Sequence, residues 1–138
     1  MEIVCLDLEG VLIPEIWIAF AEKTGIDELR ATTRDVPDYD ELMQQRLGLL
    51  AKYNLKLDAI QSVIEELEPL TGAKEFLDSL RQDYQVIILS DTFYEFAQPF
   101  MAQLKWPTLF CHRLDVSDDG EVRNYFCLLY TSDAADEG

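Results

Sequence analysis

Two short apolar runs of this sequence end in side chains that could do chemistry. The first run, residues 2–6, is followed by Asp7 and Glu9, two carboxylates that are two positions apart. In an extended chain such side chains project on the same side, so both can face one site. The pair suits a Mg²⁺ site, or a nucleophile with an acid/base partner, or both. The alternative is that residues 7–10 only form a turn after the strand.

The second run, residues 85–89, ends in a hydroxyl and two backbone amides. Ser90 supplies the hydroxyl, and the amides of Asp91 and Thr92 lead toward the start of a predicted helix. Together these groups could cradle an oxyanion or a phosphate. The alternative is that Ser90 or Thr92 is an ordinary N-cap. If the two runs are neighbouring parallel strands, both ends belong to one site.

Apolar periodicity predicts the elements that must position these residues. Strand-like runs occur at 2–6, 85–89, 109–116 and 122–126, and helical patterns occupy 14–25, 38–50, 57–67, 73–80 and 93–104. Strand, helices, strand, helix, strand is the order of a parallel α/β sheet with right-handed crossovers. The helical insert of about sixty residues after the first strand is far longer than a usual connection, so we expect it to cover the carboxyl ends of the strands.

The composition argues against some classes of ligand and indicates the cellular compartment of the protein. The chain of 138 residues has a formal charge of −16, which argues against nucleic acid and anionic membranes as ligands. No apolar run approaches the length of a membrane span and the N-terminus has no basic leader region, so we expect a soluble cytoplasmic protein. Three cysteines without close pairing and the single histidine, His112, predict neither a disulfide framework nor a zinc site. His112 is given no role.

Two strings and the insert between them resemble a known family. The match is to the first and second motifs of the haloacid dehalogenase (HAD) superfamily, over residues 1 to about 126, with the strings Asp7-Leu8-Glu9-Gly10-Val11 and Ile87-Ile88-Leu89-Ser90-Asp91-Thr92. The insert resembles the cap of phosphoserine phosphatases, and most closely those that can also pass the phosphoryl group to homoserine. The resemblance implies an incomplete HAD-type Rossmann-like sheet, with core residues 1–13 and 70–126 and a helical cap at 14–69.

The resemblance also implies a mechanism. Asp7 would attack phosphorus to give an aspartyl-phosphate, and Glu9 would protonate the leaving serine oxygen and then deprotonate water. Mg²⁺ would be held by the Asp7 carboxylate and the backbone carbonyl of Glu9. Most relatives carry Asp where this chain has Glu9, which leaves open whether water or homoserine is the preferred acceptor.

The resemblance assigns substrate contacts as well. Glu15 would meet the ammonium of O-phosphoserine and Arg46 its carboxylate, while Ser90, Asp91 and Thr92 would hold the phosphate. Glu15 has an alternative as a favourable charge at a helix start. Arg46 has an alternative as a snorkelling side chain bonded to a glutamate of the acidic third helix.

Two parts of the family's machinery have no counterpart in the sequence. These are a lysine that neutralises the phosphate and an acidic motif on a later strand, roles that Lys105, Asp133 and Asp136 do not fit. Residues 127–138 resemble translated sequencing-library adapter, so we expect a gene fragment with a foreign tail and without competent catalysis. Two other classes stay open: a non-catalytic phosphate-binding or regulatory module, and a receiver-type signalling domain, although compact receivers lack a large helical insert.

Overall fold

The computed structural model describes residues 1–128, which form a four-stranded sheet with helices packed on it. The strand order is β1-β2-β3-β4, with β1 and β2 parallel, β2 and β3 parallel, and β3 and β4 antiparallel. The strands are β1 (Ile3–Leu6), β2 (Gln85–Phe93), β3 (Thr108–Val116) and β4 (Val122–Phe126). This confirms the predicted α/β sheet and its C-terminal hairpin. Asp133, Asp136 and nearly all of the tail predicted to be foreign lie outside the described residues.

Five α-helices and one short 3₁₀ helix connect the strands. They are α1 (Ile16–Thr24), the 3₁₀ helix (Asp27–Arg30), α2 (Tyr39–Lys52), α3 (Leu57–Glu65), α4 (Ala73–Asp83) and α5 (Tyr94–Met101). Local signals explain two boundaries. α2 begins after Asp38, whose carboxylate accepts the Glu41 amide at 3.1 Å. α1 ends at Gly25, which has a φ of 76° that favours glycine.

The predicted helix at 93–104 is shorter in the structure at both ends. β2 continues through the polar residues 90–92 as far as Phe93, so α5 starts only at Tyr94. The helix contains Pro99, which cannot donate a backbone hydrogen bond, and it ends two residues later at Met101. Lys105 and Trp106, both with positive φ, then reverse the chain toward β3.

The pairing of β1 with β2 sets the position of the candidate residues. The register runs from Ile3 opposite Gln85 to Leu6 opposite Ile88. Asp7 therefore follows the last pair by one residue and Ser90 follows it by two. Both predicted polar ends emerge at the same edge of the sheet, as parallel strands require.

The helical segment between β1 and α4 shares its core with the sheet. One cluster of buried side chains includes Trp17 of α1, Ile64 of α3 and Leu77 of α4. Trp17 also meets Phe96 of α5 edge to face, with ring centroids 5.3 Å apart. The segment is thus fixed by packing, and it stands over the carboxyl ends of β1 and β2. Within residues 1–128 no helix is both long and apolar enough to cross a membrane.

Candidate active site

A cavity of about 330 Å³ lies where the ends of β1 and β2 face the helical segment. Its lining contains six of the seven side chains that the sequence nominated. They are Asp7, Glu9, Glu15, Arg46, Ser90 and Asp91, joined by Trp17, Ile18, Thr32, Thr33, Tyr39 and Leu42. The seventh, Thr92, is buried behind the cavity wall. Residues from distant parts of the chain therefore converge on one polar pocket.

The backbone after β1 turns sharply so that its two carboxylates face the cavity. The amides of Leu12 and Ile13 donate to the carbonyl oxygen of Leu8 at 2.8 and 3.1 Å. The Leu8 amide donates to Asp7 Oδ1 at 2.7 Å, which fixes that carboxylate. Asp7 stays exposed, whereas Glu9 is partly buried. An exposed, oriented carboxylate suits a nucleophile, and a partly buried one suits a proton carrier.

Burial raises the pKa of Glu9 to about 7. The neighbouring charges of Asp7 and Glu15 contribute to this rise of the pKa, while Thr92 and Arg46 partly oppose it. Desolvation has this effect because it disfavours the charged form of a carboxyl group. Glu9 can therefore hold or release a proton near neutral pH, as a general acid/base requires.

The end of β2 forms a smaller cradle than the sequence predicts. The Thr92 amide donates to Ser90 Oγ at 3.2 Å, so this amide is already occupied. The Thr92 hydroxyl is buried without a partner of full hydrogen-bond geometry within residues 1–128, although it approaches Glu9. Ser90 and Asp91 are left to face the cavity. The N-cap alternative is wrong for both hydroxyl residues, because α5 begins after Phe93 with no side-chain cap.

Arg46 is a buried cation whose partners are not carboxylates. It is 7 % exposed, and its Nη2 donates to the Ala31 carbonyl at 3.1 Å. Nη1 lies 3.7 Å from Met43 Sδ, and the guanidinium stacks 4.7 Å from the Trp17 ring centroid. The snorkelling alternative, with a bond to a glutamate of the third helix, is therefore wrong. Burial lowers the pKa of Arg46, and its Nε has no partner within residues 1–128.

Glu15 and Asp91 are the remaining carboxylates of the lining. Glu15 occupies the N-cap position of α1 without capping it, and its Oε1 lies 3.7 Å from Arg34 Nη2. Asp91 Oδ1 lies 3.4 Å from His112 Nε2, and this contact lowers the pKa of the Asp91 carboxyl. The Tyr39 hydroxyl donates to the Asp91 carbonyl at 3.4 Å. Both carboxylates are thus oriented by neighbours.

Sequence reasoning did not nominate Tyr39 or His112. Tyr39 falls within the helical pattern at 38–50 without a chemical assignment, and His112 is given no role. A usable signal for Tyr39 is its place directly after the helix-starting Asp38, where it faces the carboxyl ends of the strands. The contact of His112 depends on the pairing of β3 with β2, which a single sequence does not show.

The end of β1 offers oxygen donors that fit a magnesium ion. The exposed Asp7 carboxylate and the backbone carbonyl of Glu9 could hold the ion, which usually takes one or two carboxylates together with waters and substrate phosphate. The Glu9 carboxyl is then left free for proton transfer. Residues 1–128 contain no cluster of three or more His, Cys, Asp or Glu that could hold a metal on its own. The donor set suits an ion shared with substrate.

Comparison with known proteins gives matches over nearly the whole described chain. A family model described as haloacid dehalogenase-like hydrolase matches residues 1–126. "Phosphoserine phosphatase ThrH" of Pseudomonas aeruginosa is 66 % identical over 125 residues, which are 91 % of this chain and 61 % of that protein. A "Phosphoserine phosphatase" of Pseudomonas syringae pv. tomato is also 66 % identical over 125 residues, 91 % of this chain and 53 % of its own length. The chain thus spans somewhat more than half of these relatives.

A solved structure matches the fold. A phosphoserine phosphatase in its apo form superposes with a TM-score of 0.71 at 20 % identity, covering 91 % of this chain and 62 % of the solved chain. At this identity the match shows the fold alone. It agrees with the parallel sheet and the inserted helices described above.

Proposed function

Since this chain belongs to the haloacid dehalogenase-like hydrolase family, we propose that its cavity binds O-phosphoserine and transfers the phosphoryl group to Asp7. The observation that carries the proposal is the composition of one cavity. An exposed carboxylate, Asp7, lines the same cavity as the Ser90 hydroxyl and the buried cation of Arg46. The relatives that are 66 % identical carry the name phosphoserine phosphatase, which supports the choice of substrate.

In the proposed first step, a carboxylate oxygen of Asp7 attacks phosphorus and the bond from phosphorus to the serine oxygen breaks. Glu9 gives its proton to that leaving oxygen, so free serine departs. In the second step, Glu9 takes a proton from water, the water oxygen attacks phosphorus, and the bond to Asp7 breaks. A pKa of about 7 allows Glu9 to serve in both directions.

Mg²⁺ would be held by the Asp7 carboxylate and the backbone carbonyl of Glu9. When bound, it would supply positive charge that offsets the phosphate and the acidic lining. Arg46 would bind the substrate carboxylate through its guanidinium group, and Glu15 would bind the ammonium. Ser90 and the Asp91 backbone would contact the phosphate. Homoserine is an alternative acceptor to water in the second step.

The helical segment 14–69 is proposed to be a cap on a core formed by residues 1–13 and 70–126. Its contribution to the cavity includes Glu15 and Arg46, which would bind the ammonium and carboxylate groups of the substrate. Arg46 is the one Lys or Arg that lines the cavity within residues 1–128. Because a phosphate needs more positive charge in the transition state, we propose that this chain alone turns over slowly or not at all.

The test compares the 138-residue chain with Asp7→Asn and with the control Asp83→Asn, an exposed aspartate at the end of α4. Phosphate release from ³²P-labelled O-phosphoserine is measured with Mg²⁺, and the protein is assayed for covalent label after an acid quench. Labelling or release that Asp7→Asn abolishes and Asp83→Asn retains would support the proposal. Equal labelling in all three proteins would refute Asp7 as the nucleophile.

A second candidate function is a binding module without turnover. The observation that favours it is the single cationic side chain, Arg46, of the cavity lining in the described part of the chain. It predicts that O-phosphoserine with Mg²⁺ raises the melting temperature of the chain, while neither phosphate nor covalent label appears. A chain that shows neither stabilisation nor turnover would contradict both functions.

A further inference from the structure

Asp91 is held from two directions by side chains to which the proposed mechanism gives no step. His112 Nε2 lies 3.4 Å from Asp91 Oδ1, and the Tyr39 hydroxyl donates to the Asp91 carbonyl oxygen at 3.4 Å. His112 belongs to β3, and Tyr39 is the first residue of α2. One residue at the cavity wall therefore links the sheet to the helical segment.

The ring of His112 has a defined orientation. It is 5 % exposed and packs against the rings of Phe93 and Tyr39, with centroids 6.0 and 5.9 Å away. Its Nε2 is the ring nitrogen that faces Asp91 Oδ1, at 3.4 Å. A buried imidazole N–H needs a hydrogen-bond acceptor, and the Asp91 carboxylate is the acceptor in place.

The stretch of β2 that contains Asp91 is irregular and needs support. Pairing of β2 with β3 shifts register between Leu89 and Phe93, and Phe93 is opposite His112. Such irregularities bend a strand and redirect its side chains, often next to functional sites. The Thr92 amide donates to Ser90 Oγ within the stretch, and the Thr92 hydroxyl has no full hydrogen-bond partner in the described chain. The bonds to Asp91 come from outside the stretch and can fix its shape.

The start of α2 is also anchored on the sheet close to Asp91. The Tyr39 ring meets the Tyr125 ring edge to face at 5.7 Å, and the Tyr125 hydroxyl donates to Asp40 Oδ1 at 2.7 Å. Tyr125 belongs to β4, while Tyr39 and Asp40 are the first two residues of α2. The start of α2 is thus joined to two strands and to the Asp91 backbone at once.

We propose that Tyr39 and His112 are positioning residues that hold Asp91, and through its backbone Ser90, in the conformation that lines the cavity. Docking of α2 and the shape of the β2 stretch 90–92 are then set by one group of contacts. The inference rests on the proposed function for the identity of the ligand. The conformation of this stretch can be tested without any ligand.

The ligand-free test uses backbone amide NMR signals of Ser90 and Thr92. Tyr39→Phe removes one hydroxyl, and His112→Leu removes the ring donor, whereas His112→Gln retains an N–H donor at a similar reach. The control is Tyr53→Phe, an exposed tyrosine at the other end of α2. We expect the two amide signals to move in Tyr39→Phe and His112→Leu, to return toward wild type in His112→Gln, and to stay unchanged in Tyr53→Phe.

The ligand test measures affinity for O-phosphoserine with Mg²⁺ by calorimetry. Loss of the 3.4 Å contact between His112 Nε2 and the Asp91 carboxylate, whose side chain is 79 % exposed, should weaken binding by up to about fivefold in His112→Leu. In an Asp91→Ala background, His112→Leu should add nothing, because its partner is the missing carboxylate. Tyr39→Phe should still weaken binding there, because its partner is the backbone carbonyl.

Two results would overturn the positioning role. One is that the Ser90 and Thr92 signals coincide with wild type in both Tyr39→Phe and His112→Leu. The other is that His112→Gln is as impaired as His112→Leu, since a purely packing role would not distinguish a restored donor. If the wild-type chain does not bind O-phosphoserine, the proposed function fails, and the ligand-free signals still decide between positioning and packing.

Discussion

Replacing Glu9 with glutamine should flatten the pH dependence of the stability of the metal-free protein. Burial raises the pKa of Glu9 from 4.5 to about 7, so the folded state holds this proton more tightly than the unfolded state. The resulting stabilisation is fully present below pH 4.5 and is lost as the pH rises through 7. Glutamine resembles the protonated form and carries no such proton.

The size of the effect follows from the shift of the pKa. A shift of about 2.5 units at 1.36 kcal/mol per unit corresponds to about 3 kcal/mol over the whole titration. Because Glu9 keeps some solvent contact, we expect about 2 kcal/mol between pH 5 and pH 8. Wild type and Glu9→Gln should have similar free energies of unfolding at pH 5, and Glu9→Gln should be the more stable at pH 8.

The assay is urea denaturation with EDTA present, at both pH values, for wild type, Glu9→Gln and Glu28→Gln. Glu28 is an exposed glutamate of the 3₁₀ helix, so its replacement should leave the pH dependence as in wild type. Other titrating groups cancel in the difference between wild type and variant. A difference between wild type and Glu9→Gln that is the same at pH 5 and pH 8 would refute the assignment of a raised pKa.

Three further changes test the substrate site and the packing. Arg46→Ala should raise the KM for O-phosphoserine far more than the KM for an aryl phosphate, and equal changes in steady-state kinetics would exclude a role in binding the carboxylate. Phe96→Ala should lower the free energy of unfolding by about 3–5 kcal/mol in urea titrations, because the ring is fully buried against Trp17 and Phe93. Gly25→Ala should lower the free energy of unfolding by about 1 kcal/mol, and with it the melting temperature, because alanine is strained at a φ of 76°. An unchanged melting temperature would contradict that reason.

Sequence patterns predicted most of the scaffold because its signals are local. Strand runs such as residues 2–6 and helical stripes such as that of α2 depend on neighbouring residues and on the side of the chain they bury. The end of β2 was the exception. The polar residues 90–92 interrupt the apolar run, yet the backbone stays extended as far as Phe93, which pairs with His112 across an irregular stretch.

The candidate site likewise contains residues that local sequence patterns reveal and contacts that they do not reveal. Asp7, Glu9 and Ser90 could be predicted because each follows an apolar, strand-like run of sequence. Arg46 could be predicted because a charged side chain beside an apolar stripe is costly to bury unless it is paired. Their roles remain predictions. The contacts of Asp91 with Tyr39 and His112 join residues that are far apart in the chain, and they depend on a register that one sequence does not contain.

The pairing of β1 with β2 also bears on how the protein folds. Ile3 pairs with Gln85, whereas Ile87 pairs with Thr108, so the first contact closes a loop of about 80 residues and the second a loop of about 20. Loop-closure entropy makes the first pairing costlier by about 1 kcal/mol. Local hairpins and helices can form before it, so β1 is expected to join late. The carboxylate of Asp7 would then come close to Ser90 only in molecules that have nearly completed folding, so partly folded chains would not present an assembled site.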